Sequence, residues 1–229
     1  MANNPRIVLL HATAVAIEPI QAAFRDRWQE AEVVNLLDDS LSVDRAAEPE
    51  LTEKMIERFV GFGRYARCIG ADGILVTCSA FGPAIQRLAD DLPIPVLKPN
   101  EAMFRAAIGL GRNLGMLATF APSVVTMMDE FSEFAAEDRS DATLQTIVVD
   151  GAMDRLRAGD AEEHNRLVAA RASELANCDA IMLAHFSTSR AAALTRAAVS
   201  TPVLTAPDAA VDLMRDMVTG TSTARARVS

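Results

Sequence analysis

Asp72-Gly-Ile-Leu-Val-Thr-Cys78 and Asp179-Ala-Ile-Met-Leu-Ala-His185 are the two stretches whose reading decides the fold. Laid over one another at an offset of 107, they pair acid with acid, an apolar triplet with an apolar triplet, and a terminal Cys with a terminal His. The same offset, without a gap, places Pro95-Val96-Leu97 on Pro202-Val203-Leu204, Glu101-Ala102 on Asp208-Ala209, and Ile7 to Leu10 on Leu114 to Leu117. Self-similarity at a fixed spacing is the mark of a duplicated unit. Two similar βαβα halves are therefore expected, with equivalent residues facing one another across a pseudo-two-fold axis and Cys78 facing His185.

Working outward, short Val/Ile/Leu runs recur at 7–10, 33–37, 74–76, 96–97, 114–117, 147–149, 181–183 and 203–204. Longer segments of helical period separate them. Leu51, Met55, Phe59 and Val60 form one apolar stripe, opened by Thr52 as a plausible cap, and Leu167, Ala170, Ser173 and Leu175 form another. This alternation predicts an α/β fold of two lobes, each a short parallel sheet flanked by helices. The expected division is 1–105 plus 206–229 for the lobe carrying Cys78, and 106–205 for the lobe carrying His185.

The chain has 229 residues, enough for two lobes of about 100 residues each. Half of them are apolar, with a single Trp and a single Tyr, as suits helices packed on buried parallel strands. The net charge of -9 offers no basic stripe for nucleic acid or an anionic membrane surface. No segment reaches the apolar length of a membrane helix, and the start lacks the pattern of a signal peptide. Cys68, Cys78 and Cys178 match neither a zinc site nor a disulfide framework, so they read as free thiols in a reducing cytoplasm.

Ligands of parallel α/β sheets collect at the carboxyl ends of the strands, where Cys78 stands before Ser79-Ala80-Phe81-Gly82-Pro83. Amides at a following helix start favour a thiolate there, which is both the stronger base and the nucleophile. Cys68 and Cys178 lack that setting and read as structural. His185 holds the matching strand end, and imidazole is the side chain best suited to proton transfer near neutral pH. His11 ends the first strand and could line the same cleft or cap a helix. His164, in a charged helical turn, reads as a solvated or inter-segment contact. The candidate pocket is completed by Thr13, Thr77, Ser79, Ala80, Asn100, Thr119, Phe120, Phe186, Ser187 and Thr188, whose hydroxyls and adjacent amides suit a carboxylate. For Ser123 the plain reading is a helix cap, and for Thr119 the two readings balance. Three His at these spacings support no metal site, and no Gly-rich phosphate loop follows a strand.

Gly70-Ala-Asp-Gly-Ile-Leu-Val-Thr-Cys-Ser-Ala-Phe-Gly-Pro83, Val96-Leu-Lys-Pro-Asn-Glu-Ala102, Gly115-Met-Leu-Ala-Thr119, Ala158-Gly-Asp160 with His164, and Asp179-Ala-Ile-Met-Leu-Ala-His-Phe-Ser187 together resemble the aspartate/glutamate/hydantoin racemase superfamily. The resemblance spans nearly the whole chain. It implies two flavodoxin-like lobes, a site that needs no cofactor, a homodimer, and two cysteines flanking the substrate as opposed acid and base. Cys78 matches the first of these; the second position carries His185. The Asp-Ser-Gly type of start seen in glutamate racemases is replaced by His11-Ala-Thr-Ala.

The expected activity is a cofactor-independent racemase or epimerase acting at the α-carbon of a small carboxylate such as an acidic amino acid or hydantoin. Cys78 and His185 would be the acid/base pair. Two alternatives keep Cys78 at the centre: a maleate-type cis-trans isomerase and an arylmalonate-type decarboxylase. A third reading, of another class, is a two-lobed protein that binds a small acid without turning it over.

Overall fold

The computed structural model describes residues 4–48 and 50–220. It holds two four-stranded sheets, every pairing parallel. The described residues up to Pro99, with those from Ala210 onward, form one compact unit, and Asn100–Ala209 form the other.

The first unit is built from β1 (Arg6–His11), α1 (Ile17–Arg27), β2 (Glu32–Leu37), α2 (Ser40–Ala47), α3 (Glu53–Cys68), β3 (Gly73–Val76), α4 (Gly82–Asp91) and β4 (Val96–Leu97), with sheet order β2-β1-β3-β4. β1 is apolar and buried from Ile7 to Leu10, and β3 throughout, as central parallel strands covered on both faces must be. The Thr52 side chain accepts the Met55 amide at 3.3 Å and starts α3, which turns Phe59, Val60 and Ala66 inward. Pro83 occupies the first turn of α4, where its missing N–H costs nothing, and Ile85 and Leu88 face the core. Phe59 and Phe81 stack at 5.1 Å between ring centroids, tying α3 to the loop after β3.

The second unit repeats the plan with α5 (Glu101–Leu110), β5 (Asn113–Ala118), α6 (Val124–Glu137), β6 (Thr143–Val148), α7 (Ala152–Arg157), α8 (Ala161–Ala170), β7 (Ala180–Leu183), α9 (Ala192–Ala198) and β8 (Val203–Thr205), in order β6-β5-β7-β8. α10 (Ala206–Thr219) begins here and gives its residues from Ala210 to the first unit. There, Gly73 lets Met214 approach β3: a Cβ at Gly73 would lie 2.5 Å from its Sδ. Phe104 of α5 meets Phe131 of α6 edge-on at 5.6 Å.

The 107-residue register holds at the level of single hydrogen bonds. Thr77 N–H donates to Leu10 at 3.1 Å, and Ala184 N–H donates to Leu117 at 2.9 Å. Ile74 bonds Pro95 as Ile181 bonds Pro202, both at 2.8 Å. The second helical stripe is the exception. It crosses the end of α8 at Ala170 and continues as a 3-10 turn over Ala172–Leu175.

Candidate active site

In each sheet the strand order reverses beside the central strand, so the crevice that collects ligands lies at the carboxyl ends of β1 and β3 in one unit and of β5 and β7 in the other. Cys78 follows β3 by two residues and His185 follows β7 by two.

In the first unit, Cys78 is half-buried ahead of a 3-10 turn at Ser79–Phe81. Burial pushes its thiol above the ordinary range, against the opposing pull of the Ala80 amide and then the Arg45 guanidinium. A thiolate was expected from the helix-start setting. Here desolvation outweighs the pull of the amide. The resting group is the neutral thiol.

His11 and Thr77 are both buried and are spent on each other. The His11 Nδ1 lies 2.8 Å from Thr77 Oγ1, and Nε2 lies 3.0 Å from Asn35 Oδ1. Burial lowers the basicity of His11, the Asn35 contact opposing it. A neutral ring that donates from Nε2 to Asn35 accepts at Nδ1 from the Thr77 hydroxyl, for which Leu10 O is a longer alternative acceptor at 3.2 Å. The pair braces the end of β3. Thr13 and Ser79 are half-buried with no hydrogen-bond partner among the described residues, so their hydroxyls stay available. Arg45, on α2, donates from Nη1 to Glu48 O at 2.7 Å while its Nε is buried and unpartnered.

In the second unit, His185 takes a left-handed backbone conformation with φ 70, rare for any residue but Gly and more tolerable for His than for most. Its Nε2 lies 2.7 Å from Ser123 Oγ, which in turn lies 2.8 Å from the Phe120 carbonyl. Nδ1 is buried without a partner. Burial pushes the imidazole down to about 4, the Ala184 carbonyl opposing, so the ring rests neutral. Thr119 and Thr188 are buried and bonded to each other at 3.2 Å. Ser187 and Phe186 are buried too, and Ser189 Oγ closes the turn onto Phe186 O at 2.6 Å. Phe120 is 39% exposed, with the Arg157 guanidinium 5.8 Å from its ring centre. Asn100 is buried and donates to Glu130 at 3.3 Å, bridging α5 and α6.

Of the two settings expected for His164, solvated or inter-segment, burial excludes the first: it is fully buried on α8, one turn before the buried Val168. Ser123 stands at the start of α6 but makes no capping bond, its hydroxyl being turned to Phe120 and His185. Ser123, read from the sequence as a helix cap, and Arg45 and Arg157, which that reading did not single out, are neighbours of the candidate groups. Ser123 carried a signal in its place on the loop after β5; the two arginines carried none, because helix phase alone brings them in. A cavity of about 480 Å³ beside Phe24, Trp28 and Val33 opens at the amino end of β2, the opposite end of the sheet from Cys78. Among the described residues no group of three or more His, Cys, Asp and Glu gathers to hold a metal, and no helix is long and apolar enough to cross a membrane.

The family model described as Asp/Glu/Hydantoin racemase matches residues 7–214. Among solved structures, the aspartate racemase of Picrophilus torridus superposes with a TM-score of 0.69 at 15% identity, covering 94% of each chain. The allantoin racemase of Klebsiella pneumoniae gives 0.68 at 18% identity, covering 95% of this chain and 89% of its own. A variant of arylmalonate decarboxylase gives 0.65 at 16% identity, covering 97% of both. At these identities the three show a shared fold. No protein of curated function matches the sequence.

Proposed function

Because the chain belongs to the Asp/Glu/Hydantoin racemase family and is thus an enzyme of racemase type, we propose that it inverts the α-carbon of a small carboxylate, with Cys78 and His185 as its two proton-transfer groups. The observation that carries this reading is the pairing of types at equivalent strand ends: a buried neutral thiol after β3, and after β7 a buried neutral imidazole with an open nitrogen.

One base and one acid, both uncharged at rest, suffice for inversion. The imidazole takes the α-proton, and the electron pair left on carbon spreads into the substrate's carboxyl or carbonyl group. The Cys78 thiol then delivers its proton to the other face. Product leaves with His185 protonated and Cys78 a thiolate, and solvent carries the proton from one to the other. The Ala80 amide and Arg45 stabilise the thiolate as it forms, offsetting the burial that keeps it protonated beforehand. Arg45 near Cys78 and Arg157 over Phe120 give an acidic protein local cations for an anionic substrate, which favours an acidic amino acid over a neutral one. A reducing cytoplasm suits a single catalytic thiol.

The test is solvent deuterium incorporation at the α-carbon across a panel of acidic amino acids and hydantoins. Wild type should invert the α-carbon with deuterium uptake, and Cys78→Ala and His185→Asn should each lose about 10²–10⁴-fold of the inversion rate. Undiminished inversion in Cys78→Ala ends the assignment.

A neutral thiol as the one sulfur acid also fits a second reaction, decarboxylation of a substituted malonate. There the bond from the α-carbon to one carboxylate breaks, CO2 leaves, and Cys78 protonates the resulting enolate. CO2 release without exchange of the monoacid product would select this reading.

A further inference from the structure

We infer that Ser123 sets the tautomer of His185, keeping its proton on Nε2 and leaving Nδ1 as the nitrogen that meets the substrate; this rests on the proton-transfer role given to His185 above.

The argument is one of counting hydrogens. A serine hydroxyl has one proton to give and lone pairs to accept with, whereas a carbonyl oxygen can only accept. Ser123 Oγ has the Phe120 carbonyl at 2.8 Å and His185 Nε2 at 2.7 Å. The Met127 sulfur, at 3.9 Å, is the weaker claimant on the same proton. The Phe120 carbonyl, which also accepts the Ser123 amide at 3.2 Å, can only accept, so the hydroxyl proton at 2.8 Å is given to it and Oγ then accepts from Nε2–H. A neutral imidazole carries one N–H, so Nδ1 is left with a bare lone pair.

Two further features point the same way. Nδ1 is buried and has no partner among the described residues, and a buried polar atom left open in a native fold calls for a ligand, a water or a chemical task. The ring is also fixed from its backbone side, since φ 70 at His185 is a strained setting of the kind that clusters where geometry serves function. Ser123 occupies the residue position that would ordinarily cap α6, yet makes no cap bond. Its hydroxyl is committed to the Phe120–His185 relay instead.

The rival arrangement puts the proton on Nδ1, toward the Ala184 carbonyl, and turns the Ser123 hydroxyl from Phe120 to Nε2. Long-range ¹H–¹⁵N correlation spectra of the full chain separate the two, with His185 assigned by its disappearance in His185→Asn. Wild type should show a neutral ring protonated at Nε2. Ser123→Ala should move the ring toward Nδ1–H and lower kcat for α-proton exchange by at least about tenfold with little change in KM. Ser123→Thr, which keeps the hydroxyl, should restore both. A wild-type ring protonated at Nδ1, or a tautomer unchanged in Ser123→Ala, overturns the inference, and the first needs no variant to fold. A ring protonated at Nε2 and shifted by Ser123→Ala, in a protein that exchanges no α-proton, would leave Ser123's control of His185 standing and remove the racemase reading instead.

Discussion

The carboxylate of Asp179 accepts the backbone N–H of Asn113 at 2.9 Å, and 107 residues earlier that of Asp72 accepts the N–H of Arg6 at 2.8 Å. Each anchors the first residue of a central strand to the residue just ahead of the strand that carries a candidate group. Asp179 also takes the Arg112 amide at 2.8 Å. These two amides hold its carboxyl below the usual carboxylate range.

Loss of this anchor should loosen the second unit first. Asp179→Ala should lower the thermal midpoint and speed hydrogen exchange of the β5 amides, while β1 amides stay protected. Gly111→Ala should do the same from the other side, because a Cβ there would overlap the Asp179 side chain. Since the folded pKa is depressed, the Asp179 contribution is present above its ordinary value of 3.8 and fades as pH falls through the folded one. Equal exchange in β1 and β5 of Asp179→Ala would contradict this placement.

Gly73→Ala tests how closely α10 is held to β3. The added Cβ would lie 2.5 Å from Met214 Sδ and 3.1 Å from Val218 Cγ2. Overpacking of this kind costs about 1–3 kcal/mol. Denaturant titration should find a loss in that range, with part of it regained in Gly73→Ala/Met214→Ala, where the sulfur is gone. A neutral Gly73→Ala would show that Met214 swings away freely.

Reactivity toward iodoacetamide should separate the thiols by their surroundings. Cys68 ends α3 exposed, whereas Cys78 is half-buried with its thiol pushed up by desolvation. Near neutral pH, mass spectrometry of the alkylated peptides should find Cys68 modified well before Cys78. Arg45→Gln removes a cation that favours the thiolate, so it should slow Cys78 further and leave Cys68 unchanged. A Cys78 faster than Cys68 would mean that the amide and the guanidinium outweigh burial.

These placements also explain what could be read from the chain alone. Cys78 and His185 were legible because a strand's end follows from the length of its apolar run, and the offset of 107 survives as matched bonds such as Thr77–Leu10 and Ala184–Leu117. Side-chain pairing was not legible. His11 and Thr77 looked like two ligand contacts and turn out to satisfy one another, because only the β1–β3 register brings them to 2.8 Å. His164 among charges fitted either a solvated or an inter-segment place, and it is helix phase that turns it inward with Val168. The stripe from Leu167 to Leu175 ran through a helix end because no Gly or Pro marks Arg171. Whether burial or a helix-start amide sets the Cys78 thiol depends on the depth of the sulfur, which residue order does not encode.

Acid should destabilise the fold in a window set by its histidines. Burial lowers the basicity of His11, His164 and His185, the last from 6.5 to about 4. In the unfolded chain these rings bind protons from about pH 6.5 downward, and in the folded chain they refuse them. Stability is therefore fully present above pH 6.5 and falls as the pH drops, until His185 titrates in the folded state near 4. For His185 alone that shift corresponds to roughly 3 kcal/mol at most. His185→Asn, a residue that tolerates the left-handed backbone, should remove that share and leave the part due to His11 and His164. Urea unfolding of wild type and His185→Asn at pH 7 and pH 4.5 measures the difference. Parallel pH slopes in the two proteins would mean that the folded His185 ring takes up its proton as readily as an exposed one.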